Sequence, residues 1–345
     1  MEAHLSKTRR DAPPGRAQRG VALFITLLSV TLLSIVVMEF TFYSQVEYRR
    51  MAASVKAQQA RLLAESGVML AASILAADAR TSDYDSLGEV WARTIPPIDT
   101  GFGKLALRIE DETGRFNLNR LQANRPVDHA VFARLLEIVG VDPGVAGTVA
   151  DWIDADDAEN RTAEGAESSY YLSLEEGYRP RNGPMRSFAE LALVKGIKAE
   201  VLRKLRPLVS ANDHVLRTVN VNTAPTPVLG ALHERMDNDL VARILERRTI
   251  EPFTNWQDLR TVEGMETLPI QSLVSFTSNT FRVRSSGGVD GVYQSVEASL
   301  YRTGSVIDIT YWLARRGPNI EGVDSTTIAS LEELSAIASS AAGLL

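Results

Sequence analysis

One stretch constrains this chain more than any other. Residues 21–38, VALFITLLSVTLLSIVVM, carry no charge, and the residues before them hold Lys7, Arg9, Arg10, Arg16 and Arg19 against Glu2 and Asp11. At ~1.5 Å per residue such a run reaches roughly 27 Å as a helix, close to the hydrocarbon thickness of a bilayer. A secretory signal would be followed by small residues of the Ala-x-Ala kind; Met38-Glu39-Phe40-Thr41 offers none, whereas Arg19-Gly20 stands before the run. Cleavage at that earlier point keeps the apolar helix as an anchor. The basic leader orients the N-terminus toward the cytoplasm and puts residues beyond about 42 on the opposite face.

The helix does not stop at the membrane. From Val46 to about Ala79 there is no proline, alanine is abundant, and Met51, Val55, Leu62 and Met69 recur near the helical period. This stripe is expected to pack, and Gly67 to permit a bend without ending the helix. A helix from Val21 to about Ala79 is roughly 90 Å long.

The remainder alternates patterns. A turn-rich link at Thr94–Gly103 precedes a strand at Lys104–Asp111, and strand patterns return only at Thr280–Ser285, Val292–Tyr301 and Val306–Ala314, with Gly287-Gly288 and Thr303-Gly304 as expected turns. Short helices are expected between them at Val127–Val139, Pro143–Ile153, Ser187–Val194, Ala199–Leu208, Thr226–His233 and Asn238–Arg248. Pro143 behind Asp142, and Ser187 with Glu190 three positions on, read as helix starts. The fold class is therefore α+β: a long N-terminal helix with an antiparallel sheet, interrupted by a large, mainly α-helical insertion. The expected organisation is a leader (1–20), a membrane part (21–42), the rest of the helix and the first strand (43–115), the insertion (116–275), the C-terminal strands (276–316) and a tail (317–345).

Composition then removes whole classes of chemistry. With no cysteine there are no disulfides, thiolate metal sites or cysteine nucleophiles, and His4, His129, His214 and His233 show no ligand spacing. Phosphate-binding glycine loops, a nucleophile elbow and paired metal-binding histidines are likewise missing from the sequence, so no enzyme is expected. The formal net charge of -6 argues against nucleic-acid binding by bulk charge. One acidic cluster stands out: Asp151, Asp154, Asp156, Asp157, Glu159, Glu164 and Glu167 against the single Arg161. Such a loop repels itself unless a cation neutralises it, and all-oxygen donors outside the cytoplasm favour calcium. It is not an EF-hand, because Ala158 stands where an oxygen ligand should be and no glycine follows. Asp154, Asp156, Asp157, Glu159 and Glu167 are the candidate ligands.

Gly20 before a long apolar helix resembles the leader junction of type IV pilins and pseudopilins. The strings DETGRFNLN (111–119), DWIDADD (151–157), YRPRNGPM (178–185), LVKGI (193–197) and VNVNTAPTPVL (219–229) resemble, in order, those of the K-type minor pseudopilins of type II secretion. That resemblance implies a prepilin peptidase cutting after Gly20 and methylating Val21. It implies a single-pass inner-membrane protein whose globular part is periplasmic, sitting at the tip of a pseudopilus and initiating its assembly. The implied partners are the I- and J-type minor pseudopilins and the major pseudopilin, in a machine that exports folded proteins across the outer membrane. The family's loop, similar to DWIDPDD followed by GAEDDYY, binds calcium; GAESSYY at 165–171 puts Ser168 and Ser169 in place of carboxylates, which weakens or removes one site.

Ile25 supports a tip position on physical grounds. Most pilin-like chains carry glutamate at the fifth mature position, where its carboxylate neutralises a neighbour's N-terminal amine in a low-dielectric bundle. A subunit with Ile25 has no group for an amine above it, and an insertion of this size would crowd a helical stack unless the subunit crowned it.

A rival reading comes from LVKGIKAEVLRKL, VNVNTAPTPVLGAL and FTNWQDLRTVEGM, which resemble helix-hairpin-helix units that hold phosphate in DNA-binding proteins. Lys195, Lys198, Arg203, Lys204 and Arg206 would form the basic patch of a periplasmic DNA-uptake protein. Against it, HERMDNDL lacks a Gly-x-Gly hairpin, and the acid cluster lies in the same insertion. Asn117 and Asn119, and Asn220 and Asn222, are expected to fix turns rather than to bind a ligand.

Overall fold

The computed structural model describes residues 16–121, 125–158, 165–212 and 218–320. A single continuous helix, α1, runs Arg16–Thr81, and the chain divides within it: residues up to Gln58 form one unit and Gln59 onward another. In the first unit the side chains from Val21 to Tyr43 include a near-unbroken series of exposed large apolar groups, and the helix is long and apolar enough to cross a membrane.

In the second unit the end of α1 lies on a five-stranded antiparallel sheet. Its strands are β1 (Ile98–Asp99), β2 (Lys104–Asp111), β7 (Thr280–Val289), β8 (Val292–Thr303) and β9 (Val306–Arg316), adjacent in that order. The expected strands are all present, and β2 has the predicted bounds. The expected stripe is not the packing face. Met51 and Leu62 are 61% and 63% exposed, and Val55 and Met69 are exposed too, while Ala60, Ala64, Val68, Ala71 and Leu75 are fully buried. Small residues win because helix and sheet approach closely. A Cβ added at Gly287 would meet the Ala60 carbonyl oxygen, with Leu63 Cβ at 2.8 Å and Ala64 N at 2.9 Å. Gly287 and Gly288 therefore lie inside β7 and make no turn; the turn is Asp290-Gly291, both at positive φ. Gly67 introduces no break in α1, and a Cβ there would strike Ser285 and Leu105.

Between β2 and β7 lies the helical body: α2 (Pro126–Ile138), α3 (Val145–Ile153), α4 (Ser168–Leu172), α5 (Ala199–Leu205), α6 (Thr226–Ala231), α7 (Asn238–Ile250) and α8 (Trp256–Arg260). It has its own apolar core, including Phe116, Phe132, Leu135, Tyr171, Leu229 and Phe253. In place of the α-helix expected over Ser187–Val194 there is a 3-10 helix, Phe188–Leu193, and Ser187 makes no side-chain cap; Glu190 instead accepts from Arg186 N (2.9 Å). The helix expected from Pro143 begins at Val145, with Asp142 Oδ1 accepting from Gly144 N (2.9 Å). Helices α4 and α8 carry too few residues for a periodic signal to announce them.

The body is built twice on one plan. A parallel bridge joins β3 (Phe116–Asn117) to β4 (Val209–Ser210), and a second joins β5 (Val219–Asn220) to β6 (Val274–Ser275). Each first strand opens an Asn-x-Asn clasp. Asn117 Oδ1 accepts from Asn119 N (3.0 Å), and Asn119 bridges both backbone groups of Met185 at 2.8 and 2.9 Å. Asn220 Oδ1 accepts from Asn222 N (3.0 Å), and Asn222 does the same to Phe253 at 2.8 Å each. The asparagines fix connections, as expected, and satisfy buried backbone groups that would otherwise be orphaned.

A buried polar network ties this body to the sheet. Ser278 N donates to Asp85 (2.7 Å), Ser278 Oγ to Asp111 (2.7 Å), and Asn220 Nδ2 to the Asp85 carbonyl (3.0 Å); the Thr223 hydroxyl also donates to Asp111. Burial pushes the Asp111 carboxyl above its ordinary range, opposed by the hydroxyls of Thr223 and Ser278.

Candidate metal centre

Helix α3 ends in Asp151-Trp152-Ile153-Asp154. With Asp151 in its last turn and Asp154 at its C-cap, two carboxylates separated by three positions share one side of the helix end. Glu167 is the N-cap residue of α4 and faces them. One ligand atom from each of Asp151, Asp154 and Glu167 lies within 4.8 Å of the others. The packing that fixes them is aromatic: Trp152 meets Tyr171 edge to face at 5.2 Å, so both helix ends are held by the core beneath the loop.

The electrostatics of this triad are unfavourable without a cation. Asp151 and Glu167 are 1% and 2% exposed. Asp151 Oδ2 accepts from Ala166 N (2.8 Å), but both carboxylate oxygens of Glu167 and Oδ1 of Asp154 are buried without a hydrogen-bond partner. Burial, followed by the charges of Asp151 and Asp154, pushes the Glu167 carboxyl up to about 8; burial, followed by Asp156 and Asp151, pushes Asp154 up to about 6. Orphaned buried carboxylate oxygens converging on one point fit a hard divalent ion, which takes oxygen ligands and removes the repulsion.

Two of the five sequence candidates, Asp154 and Glu167, enter the triad; Asp156 and Asp157 do not. Asp156 is exposed and its Oδ1 accepts from Ala158 N (2.8 Å), an Asx turn closing the loop. Asp157 is exposed and accepts from Ser168 N (3.4 Å); the Ser168 hydroxyl holds its carboxyl below the usual range. Glu159 lies outside the described residues. Ser168 is thus a partner of Asp157, while Ser169 is exposed. Asp151 was not among the candidates, although its i, i+3 relation to Asp154 at a helix end was visible in the sequence. Asn182 was also missed. Held at positive φ, it donates from Nδ2 to the Asp156 carbonyl (3.1 Å) and keeps a buried, unpartnered Oδ1.

The other features fall elsewhere. Gly20, Val21 and Ile25 lie exposed on α1. The basic patch is divided: Lys195 donates to the Gly165 carbonyl (3.2 Å) and covers the Tyr170 ring at 5.0 Å, and Lys204 pairs with Glu200, whereas Arg203 and Arg206 line a cleft facing the sheet.

Comparison with known proteins is consistent across its levels. Family models described as "Type II secretion system (T2SS), protein K" match residues 114–214 and 219–280. The break between them falls between the two halves that each carry an Asn-x-Asn clasp. Type II secretion system protein K of Pseudomonas aeruginosa is 38% identical over 70% of this chain and 76% of its own length. That of Klebsiella pneumoniae is 31% identical over 60% and 66%. A chain in the crystal structure of the GspK-GspI-GspJ complex of enterotoxigenic Escherichia coli superposes with a TM-score of 0.65 at 23% identity, over 78% of this chain and all of that one.

Proposed function

Because this chain belongs to the type II secretion system protein K family, we propose that it is the minor pseudopilin at the tip of the pseudopilus. There it initiates assembly with I- and J-type minor pseudopilins, crowns the major pseudopilin, and supports export of folded proteins across the outer membrane. The observation that carries the tip placement is architectural: the insertion between adjacent strands β2 and β7 is a body with its own core. A stacked subunit has no room for such a body, whereas a terminal subunit does. Ile25 in place of a carboxylate, and the solution of a related chain in a complex with GspI and GspJ, support the same reading.

The apolar start of α1 anchors the chain once in the inner membrane, with the rest periplasmic, after a prepilin peptidase has cut behind Gly20 and methylated Val21. The exposed stripe of Met51, Val55, Leu62 and Met69 is free to pack against neighbouring pseudopilin helices. Calcium at Asp151, Asp154 and Glu167 is structural: when bound it supplies charge neutralisation, and the chain's own carboxylates hold the end of α3 against the start of α4. Cross-linking of assembled fibres tests the reading. One copy at a fibre end, in contact with neighbours on one side only, is expected, and recovery at regular intervals along the fibre would overturn it.

A further inference from the structure

The face of the sheet turned away from α1 carries an arginine surplus with no partner in view. Ser285 and Gly287 of β7 touch α1, so the alternate positions Arg282, Arg284 and Ser286 lie on the opposite face, where the helical body closes over Arg282 and Arg284. Two adjoining cavities of about 530 and 380 Å3 open there, sharing Arg203, Arg206, Arg282 and Glu297 as walls. Their size is that of a ligand cleft. On the sheet side the charges are matched: Glu110 meets Arg108, Arg115 and Arg284, and Glu112 meets Arg115 and Arg282. On the rim they are not. Arg186, Arg203, Arg206 and Arg315 line the cavities, and none of them is paired with a carboxylate among the described residues. In a chain of formal charge -6 this is a concentrated positive site, and it is built of arginine, whose planar fork suits carboxylates.

The described chain ends on this same face. After β9 the backbone turns at Gly317, and Asn319 is fastened to Ser286: Asn319 N donates to Ser286 Oγ (3.0 Å), the hydroxyl lies 2.7 Å from Asn319 Oδ1, and Asn319 Nδ2 donates to the Val296 carbonyl (3.2 Å). Arg284 and Arg282 follow Ser286 on that face at steps of roughly 7 Å. Residues 321–345 then carry Glu321, Asp324, Glu332 and Glu333 and no lysine or arginine. At up to ~3.5 Å per residue Glu321 reaches about 7 Å from Asn319 and Asp324 about 17 Å, enough to enter the cleft.

We propose that the arginine cleft is a carboxylate-recognition site for an acidic peptide strand, and that its occupant is the chain's own segment 321–345. The segment supplies the charge the rim lacks, and being tethered at Asn319 it competes with any acidic strand offered by another protein at high effective concentration. This assignment does not depend on the place of the chain in a pseudopilus.

The cysteine-free sequence makes the test direct. In the full-length, detergent-extracted chain, Pro207→Cys on the cleft wall is combined in turn with Asp324→Cys, Glu332→Cys and Ala338→Cys. The control replaces Pro207→Cys by Glu200→Cys, on the side of α5 where Lys204 reaches the Gly140 carbonyl. With mild oxidant, at least one tail position should form an intramolecular disulfide with the cleft cysteine about tenfold faster than with the control. Arg203→Glu together with Arg206→Glu should return that rate to the control value. Rates no faster than the control at all three positions would overturn the proposal. So would a rate indifferent to the double reversal, or disulfides that join two chains.

Discussion

Arg302 Nη1 on β8 lies 3.0 Å from Asp78 Oδ2 near the end of α1, and its other terminal nitrogen donates to Asp85 and to the Ser278 carbonyl (2.8 Å). One guanidinium thus joins the long helix, the loop behind it and the last segment of the helical body. Three carboxylates, Asp78, Asp85 and Glu89, share this corner.

That imbalance sets a pH dependence. Burial, with the charges of Glu89 and Asp85, pushes the Asp78 carboxyl up to about 7 against the opposing pull of Arg302. A carboxyl raised on folding binds its proton more tightly in the native state, so its contribution to stability grows as pH falls from about 7 toward 4. At ~1.4 kcal/mol per pH unit the ceiling is about 4 kcal/mol. Thermal unfolding of the full chain in detergent should therefore show a gap between wild type and Asp78→Asn that changes between about pH 5 and pH 8 in wild type's favour at the acid end. Parallel curves would rule out Asp78 as the titrating group.

Helix–sheet contact at Gly287 predicts a steric cost. Replacing it with alanine should destabilise the chain by about 1–3 kcal/mol, because the new methyl meets backbone on α1 and not a side chain that can swing away. Gly88→Ala, where the nearest atom to the new Cβ is Ser86 Oγ at 3.7 Å, should be neutral within about 0.5 kcal/mol. Equal losses would show that general glycine effects dominate over the close approach.

For the metal centre, a chelator should lower the melting temperature of the wild-type chain, since an ion bound only to the native state stabilises it by mass action, about 2.7 kcal/mol at one hundred times Kd. Glu167→Gln and Asp151→Asn should abolish the response, and Asp156→Ala should keep most of it, because its carboxylate closes a turn and lies outside the triad. A chelator response lost with Asp156 and kept without Glu167 would relocate the ion.

Processing is checked by mass spectrometry of membrane-extracted protein. The expected N-terminus is Val21, methylated; an intact leader, or a cut near residue 40, would contradict a pilin-like maturation.

The long helix was legible from its charge-free run and the proline-free, alanine-rich stretch behind it, and β2, β7, β8 and β9 from strand patterns, as in the alternation of Ile307, Ile309 and Tyr311. Which face of α1 packs was not legible. Period alone points to the large side chains Met51 and Leu62, but close contact with Gly287 selects Ala60 and Ala64, whose hydrophobic signal is weak. One of the three triad residues, Asp151, was missed for a related reason. Crowding of charge in sequence marks the exposed Asp156 and Asp157, whereas binding geometry depends on burial: Asp151, beside a Trp152 that packs edge to face on Tyr171, is 1% exposed. The two-residue strands β3 to β6 are set by long-range pairing and leave no local trace.

The helical body leaves the sheet after Asp111 and rejoins it at Thr280, and Asp111 is the register partner of Phe281 on the neighbouring strand, with Glu112 N donating to the Thr280 carbonyl (2.9 Å). Departure and return occupy one rung of one ladder. The whole body is therefore a cassette: a single recombination event at that rung can add or remove it without disturbing strand order, and a tight hairpin can close the gap. What such an exchange must carry with it is a polar plug for Asp111 and Asp85, whose partners Thr223, Asn220 and Ser278 all belong to the cassette.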